Sequence, residues 1–218
     1  MSDQYLNNYQ KISRSSKLVS ERWGRSEPDL LVVSKRQMQV DIISFIKSTH
    51  HMRFAENYVK EAEEKYTTIK KSYPNLQLHL IGHLQSNKAI EAVKLFDVIE
   101  TVDSYKLASK LDAAEKITKL EREYLIQVNI GFEEQKYGVM PDDLKDLLAE
   151  IRNNLTINIK GLMCIPPKDK NPSIYFAYLK KLAQDNKLSY LSMGMSSDYQ
   201  EAIAVGTDEI RIGTALFA

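Results

Sequence analysis

The chain has little of what marks secreted or membrane proteins. Cys164 is the only cysteine among 218 residues, so no intrachain disulfide can form and a reducing compartment is expected. The N-terminal segment 1–17 contains no apolar stretch of the kind found in a signal peptide. No segment approaches the roughly 20 apolar residues of a membrane span. We therefore expect a cytoplasmic protein without membrane attachment.

An excess of charge of one sign is also missing. The sequence has 30 Lys and Arg against 29 Asp and Glu, a net charge of +1. A surface for nucleic acid or another polyanion is therefore not expected. Linkers and low-complexity segments are absent too, so residues 1–218 are predicted to form a single domain.

Short apolar runs alternate with segments of helical periodicity along the whole chain. Eight candidate strands follow one another at 30–34, 52–55, 76–81, 98–102, 124–130, 157–164, 189–193 and 209–212. This alternation is typical of a parallel sheet. Eight strands in this length predict one compact (β/α)8 barrel of the TIM type. An extra helix is predicted at 2–25, and we expect it to fill the place of an outer helix missing after Gly213.

The segment LLVVSK at 30–35 places a primary amine at the end of the first strand. The carboxyl ends of the strands carry the chemistry in such barrels. A lysine amine there, partly removed from water, is suited to a Schiff base with an aldehyde. The plainer alternative is a surface lysine that closes a strand.

The loops after the last two strands are rich in small and hydroxyl residues. They read YLSMGMSSD at 190–198 and IRIGTALF at 210–217. Loops after strands seven and eight typically build the phosphate site of these barrels. Ser196 and Ser197 precede a helix whose free amides could hold an anion. A capping box between Ser197 and Gln200 is the structural alternative, and both can hold together.

Other polar positions leave two interpretations open. Strand alternation directs Arg211 into the barrel, toward a ring nitrogen or a carboxylate partner. Asn57 could bind a ligand at the mouth or begin the next helix. His79 and His83 are spaced as on a zinc-binding helix, but Gly82 and a strand end intervene, so no metal site is predicted. Lys136 lies in a possible mobile loop at the same face.

Seven motifs together resemble the YggS/PROSC family of pyridoxal 5′-phosphate homeostasis proteins, relatives of the N-terminal barrel of alanine racemase. They are VSK, FAENYV, IGHLQSNK, QVNI with KYG, GLMCIPP, SMGMSSD and RIGTALF, in that order from about residue 30 to 217. Ala55 departs from the family, which has glycine before the Glu-Asn-Tyr triplet.

The resemblance implies a set of ligands for pyridoxal 5′-phosphate. Lys35 would form the internal aldimine with the cofactor and Arg211 would face its pyridine nitrogen. The remaining residues implied are Asn57 near the ring substituents, Met163 lining the pocket, and Met195, Ser196, Ser197, Gly213 and Thr214 at the phosphate.

The resemblance also implies a carrier rather than an enzyme. Most pyridoxal-phosphate enzymes place a carboxylate at the ring nitrogen, whereas an arginine cannot accept its proton and gives a weaker electron sink. We therefore expect a monomeric, non-catalytic protein of vitamin B6 homeostasis that could supply PLP-dependent apo-enzymes. The alternatives are a PLP-dependent amino-acid racemase or lyase, and a barrel enzyme that uses Lys35 on a sugar phosphate without a cofactor.

Overall fold

The eight predicted strands form a closed parallel barrel in the computed structural model, which describes residues 2–218. The strands are β1 Asp29–Val33, β2 Arg53–Glu56, β3 Gln77–Leu80, β4 Val98–Val102, β5 Glu123–Val128, β6 Asn158–Cys164, β7 Tyr190–Met195 and β8 Glu209–Ile212. Strand β1 pairs with both β2 and β8, which closes the sheet. The prediction of a (β/α)8 barrel is confirmed.

A helix follows every strand, and one more precedes the first. The helices are α1 Ser2–Trp23, α2 Gln39–Thr49, α3 Val59–Ser72, α4 Ala89–Leu95, α5 Tyr105–Thr118, α6 Leu144–Asn154, α7 Pro172–Asp185, α8 Tyr199–Val205 and α9 Thr214–Phe217. Asn171 caps α7 through its side chain, with Pro172 in the first turn, as expected for such a pair. Among the described residues, no helix combines the length and apolarity needed to cross a bilayer.

Helix α1 stands where the eighth outer helix would stand. It packs against α2, α8 and the short α9. Tyr5 meets the rings of Phe45 and Phe217, with centroids 6.0 and 5.7 Å apart, and Ser15 accepts a hydrogen bond from Tyr199. The N-terminal helix therefore closes the outer layer, because α9 is only one turn long.

The two faces of the sheet differ in character. The main hydrophobic core lies between strands and helices, and Val32 belongs to it. Inside the barrel, a small apolar group of Leu31, Val33 and Ala55 lies near the mouth. Below it the interior is polar, with fully buried Glu100 and Glu209. A barrel of this type is usually filled with branched apolar side chains, so buried charge in this interior stands out.

Candidate functional site

Lys35 lies at the mouth of the barrel, two residues beyond the end of β1. Residues alternate along a strand, so Lys35 continues the inward row of Leu31 and Val33. Its side chain is exposed, whereas Ser34 before it is fully buried on the helix side of the sheet. The lysine thus has a rigid base and an accessible amine.

A dense hydrogen-bond network holds the turn that carries Lys35. The Ser34 hydroxyl lies 2.7 Å from Glu56 Oε1 and 2.6 Å from the Tyr66 hydroxyl. Lys65 donates to the Ser34 carbonyl at 3.1 Å and pairs with Glu56 at 2.6 Å. Arg36 then takes a left-handed conformation, with φ of 64°. This turn aims Lys35 toward the barrel mouth.

A cavity of about 560 Å³ opens at Lys35. Eight of the nine residues predicted to bind a cofactor line it: Lys35, Asn57, Met195, Ser196, Ser197, Arg211, Gly213 and Thr214. They come from four separate loops and strand ends, which the closed barrel brings to one place. Met163 does not line the cavity; it is completely buried within β6.

Asn57 lies between this cavity and a second one of about 840 Å³, since it lines both. Its side-chain oxygen Oδ1 is buried and has no hydrogen-bond partner among the described residues. Such an unpaired acceptor is costly unless a ligand donates to it. The neighbouring Ala55 keeps regular pairing with Val33 and His79, so the backbone that leads to Asn57 follows the strand ladder.

Arg211 points into the barrel, as strand alternation predicts, and is 3% exposed. Its terminal nitrogens donate to the Ser192 hydroxyl and to the Cys164 carbonyl, both at 2.8 Å. Neither partner is a carboxylate, and neither bond uses Nε. The guanidinium is therefore fixed from below while still forming part of the cavity wall.

A buried polar group lies beneath Arg211, on strands that sequence reasoning read as apolar. His79 Nδ1 lies 2.7 Å from Glu100, and Arg53 pairs with Glu209 at 2.7 Å. Glu100 lies at the centre of the strand VIETV, and Glu209 is the first residue of the strand EIRI. A charged residue within a buried strand was the signal for this group, because it must find partners inside.

Burial and mutual repulsion set the charge states of this group. Burial raises the pKa of Glu209, and the charge of Glu100 adds to this, giving about 7. Burial acts the same way on Glu100, but the hydrogen bond from His79 and the charges of His79 and Arg211 lower its pKa overall. Burial opposes protonation of His79, yet Glu209 and Glu100 raise its pKa.

The remaining predicted positions fall elsewhere. His83 is separated from the buried His79: it stacks on Tyr137 with centroids 3.7 Å apart, in the second cavity. Lys136 pairs with Glu133 at 2.5 Å. The capping box proposed for Ser197 is wrong. The N-cap of α8 is Asp198, and Gln200 instead donates to Ser15 of α1, because α1 packs against this end of the helix.

Sequence reasoning missed several residues that line the cavity. Gln37, Ile81, Ile165 and Phe217 form part of its wall. Ile81 and Ile165 lie one residue beyond the ends of β3 and β6 and continue the inward rows of these strands, so strand parity was the signal available for them. Gln37 and Phe217 lie in a turn and a terminal helix, where no periodicity indicates direction.

The chain belongs to the family of alanine racemase N-terminal domains, whose model matches residues 8–218. It is 34% identical over 218 residues to the pyridoxal phosphate homeostasis protein of Haemophilus influenzae, covering 95% of this chain and 91% of the relative. The protein of that name from Vibrio cholerae is 35% identical over 96% of this chain and 94% of its own.

Solved structures of other proteins resemble this chain as well. PipY of Synechococcus elongatus with PLP bound is 34% identical, with a TM-score of 0.79 over 94% of this chain and 99% of its own. An alanine racemase from Clostridium difficile, at 13% identity, shares the fold alone, with a TM-score of 0.71 over 93% of this chain and 58% of its own.

Proposed function

We propose that this protein binds pyridoxal 5′-phosphate at the barrel mouth and acts in vitamin B6 homeostasis. The observation that carries the proposal is the cavity at Lys35, in which an accessible amine, a fixed arginine and two hydroxyl-bearing loops face one space. Relatives that the chain covers almost completely carry the name of this function. PipY, similar over 94% of this chain, has PLP bound in its structure.

The residues present fit this cofactor. Bound pyridoxal phosphate supplies an aldehyde that reacts reversibly with a primary amine. Lys35 would provide that amine and hold the cofactor. Arg211 would lie toward the ring nitrogen, and an arginine cannot take a proton from it. The unpaired Oδ1 of Asn57 would accept a hydrogen bond from a ring substituent. At the phosphate, the donors are the Ser196, Ser197 and Thr214 hydroxyls and nearby backbone amides.

The side chains that line the cavity favour binding of the cofactor over catalysis with it. The described side chains that line it include no carboxyl, imidazole, thiol or phenol group beside Lys35. Racemisation requires a second group on the opposite side of the substrate carbon to supply or remove the proton. We therefore propose a carrier without its own reaction, which releases the cofactor to PLP-dependent apo-enzymes.

Absorbance spectroscopy tests this function. We expect purified protein mixed with pyridoxal phosphate to gain a visible band that borohydride removes, with the pyridoxyl mass on the peptide containing Lys35. Lys35→Ala should lose the band but keep weaker, phosphate-mediated binding. Lys88→Ala is the matched control, because this exposed lysine lines the second cavity and pairs with Glu91 at 3.1 Å. A Lys35→Ala variant with an unchanged band would contradict the assignment.

Activity and transfer assays separate the carrier from an enzyme. Incubation of the loaded protein with L-amino acids should give no D-amino acid. Mixing the loaded protein with a PLP-dependent apo-enzyme should restore that enzyme's activity. Recovery should be faster than with the cofactor that dialysis releases from the carrier alone. Rapid racemisation would overturn the carrier role.

We further propose that the protein acts as a monomer in the cytoplasm. A free, fully buried Cys164 fits a reducing compartment. Light scattering of the loaded protein and fractionation of cells test the two statements.

A further inference from the structure

The floor beneath the cofactor cavity contains one hydrogen bond that needs an extra proton. The Ser192 hydroxyl lies 2.6 Å from Glu100 Oε2 and 3.1 Å from Glu209 Oε1, and it accepts from Arg211 at 2.8 Å. A hydroxyl has one hydrogen and can donate to only one carboxylate at a time. The second contact is a hydrogen bond only when one carboxyl carries a proton.

Glu209 is the carboxyl group positioned to carry this extra proton. Glu100 already accepts from His79 at 2.7 Å, which favours its ionised form. Glu209 is fully buried close to Glu100, and two ionised carboxylates in one buried site repel each other. Its other oxygen accepts from Arg53 at 2.7 Å, so Oε1 is free to donate to Ser192.

The surroundings of Glu209 contain both signs of charge. The titratable and charged groups that face it, strand by strand, are Asp29, Arg53, His79, Glu100, Tyr190 and Arg211, with Lys160 above the Tyr190 ring. Arg53 is partly exposed and pairs with the exposed Asp29 at 2.6 Å, at the end of the barrel away from Lys35. Proton exchange with solvent therefore has a route that avoids the cofactor cavity.

We propose that Glu209, with Ser192, Glu100 and His79, forms a buried proton-holding site that is coupled through Arg211 to the ligand in the cavity. The inference rests on the proposed function. An anionic phosphate ester at the mouth favours the protonated form of Glu209 beneath it. Binding of the ligand is therefore accompanied by uptake of a proton from solvent at Glu209. By reciprocity, protonation of Glu209 strengthens binding of the anion.

The pH dependence of binding tests this site, with pyridoxine 5′-phosphate as the probe because it has no aldehyde to react with Lys35. The pKa of Glu209, about 7, sets the pH range of the measurement. Affinity of the wild-type protein should fall on the order of 5-fold as the pH rises through 7, because ionised Glu209 repels the ligand. Glu209→Gln keeps a neutral side chain at all pH values and should remove this fall.

Asp112→Asn is the matched control. Asp112 is another buried carboxyl group, but it lies on the outer helix α5 and pairs with Lys116 at 2.6 Å rather than facing the cavity. It should keep the wild-type pH profile, which also corrects for ionisation of the ligand phosphate. Should Glu209→Gln fail to fold, Ser192→Ala serves instead, since it removes the link to Arg211 and should flatten the profile.

The outcomes separate this inference from the proposed function. Wild-type protein that binds neither pyridoxal phosphate nor its alcohol overturns the proposed function. Wild-type binding with a pH profile that Glu209→Gln and Ser192→Ala leave unchanged overturns the proton-holding site alone. A purely structural role for Glu209 would lower stability in the variants without altering the pH profile.

Discussion

At the scale of single residues, the cavity depends on positions where a backbone passes close to another backbone. Gly82 lies beside Asn57, and a Cβ on Gly82 would stand 2.0 Å from the Asn57 carbonyl oxygen. That contact is with rigid main chain, so the two strand ends would have to separate. Glycine here maintains the position of Asn57 at the cavity.

Gly82→Ala should therefore lower both stability and cofactor affinity. We expect a loss of about 2 kcal/mol in the free energy of unfolding, typical of an overpacked site. Affinity for pyridoxal phosphate should fall about tenfold, equivalent to about 1.4 kcal/mol. Urea denaturation and equilibrium binding measure the two effects.

Gly24→Ala provides the comparison for Gly82→Ala. Gly24 has φ of 58°, but an added Cβ would meet nothing within 4 Å. It should lose about 1 kcal/mol through backbone strain alone and bind the cofactor normally. Equal affinities for the two variants would show that Gly82 does not position Asn57.

At the scale of elements, helix α1 stabilises the barrel through one face only. Ile12 is 8% exposed and belongs to the main core, whereas Leu18 on the same helix is 57% exposed. Both are apolar, so hydrophobicity alone does not distinguish them. Packing against α2 and α8 decides between them.

Truncation of these two side chains measures the contribution of α1. Ile12→Ala should destabilise the protein by about 3 kcal/mol, because it leaves a cavity in the core. Leu18→Ala should change stability by no more than about 0.5 kcal/mol. Thermal or urea unfolding compares them. Deletion of residues 1–25 should give an aggregating chain, since it bares the apolar flank of α2 and α8; a soluble, folded truncation would refute this role.

At the scale of the whole molecule, stability should decrease in mild acid. His51 lies two residues beyond the end of α2. It is largely buried at the base of the barrel, where its Nε2 lies 3.0 Å from the Arg53 carbonyl oxygen. Burial lowers the pKa of His51 from 6.5 to about 4.

The direction of this pH effect follows from the number of protons that the folded and unfolded chains bind. Between pH 6.5 and about 4 the unfolded chain binds a proton at His51 and the folded chain does not. The free energy of unfolding therefore falls as the pH falls through this range. We expect His51 to account for roughly 2 kcal/mol, below the full effect of its shift because the ring is partly exposed.

Urea denaturation of His51→Asn at neutral and acid pH should show a smaller difference than the wild type. His50→Asn is the control, because His50 is exposed and its left-handed conformation suits asparagine. If His50→Asn and His51→Asn respond alike to pH, the acid sensitivity lies elsewhere.

Local patterns in the sequence were sufficient for the elements and for much of the cavity. Alternation of apolar runs with helical segments identified all eight strands, because a strand buried on both faces reads as a continuous apolar run. Lys35 and Arg211 followed from strand ends and from two-residue parity. The phosphate loops followed from their place after the last two strands, and Asn57 gained its role from resemblance. The structure brings them to the same cavity.

Only the tertiary structure decided which charged residues meet inside the barrel. Glu100, Glu209 and His79 lie on β4, β8 and β3, and their carboxylate oxygens and ring nitrogen come within 4.8 Å of one another only when the sheet closes. Met163 was expected at the cavity and is buried instead. The physical reason is the same in both cases: periodicity tells which face of a strand a side chain occupies, but its depth and its neighbours depend on how strands are staggered around the barrel.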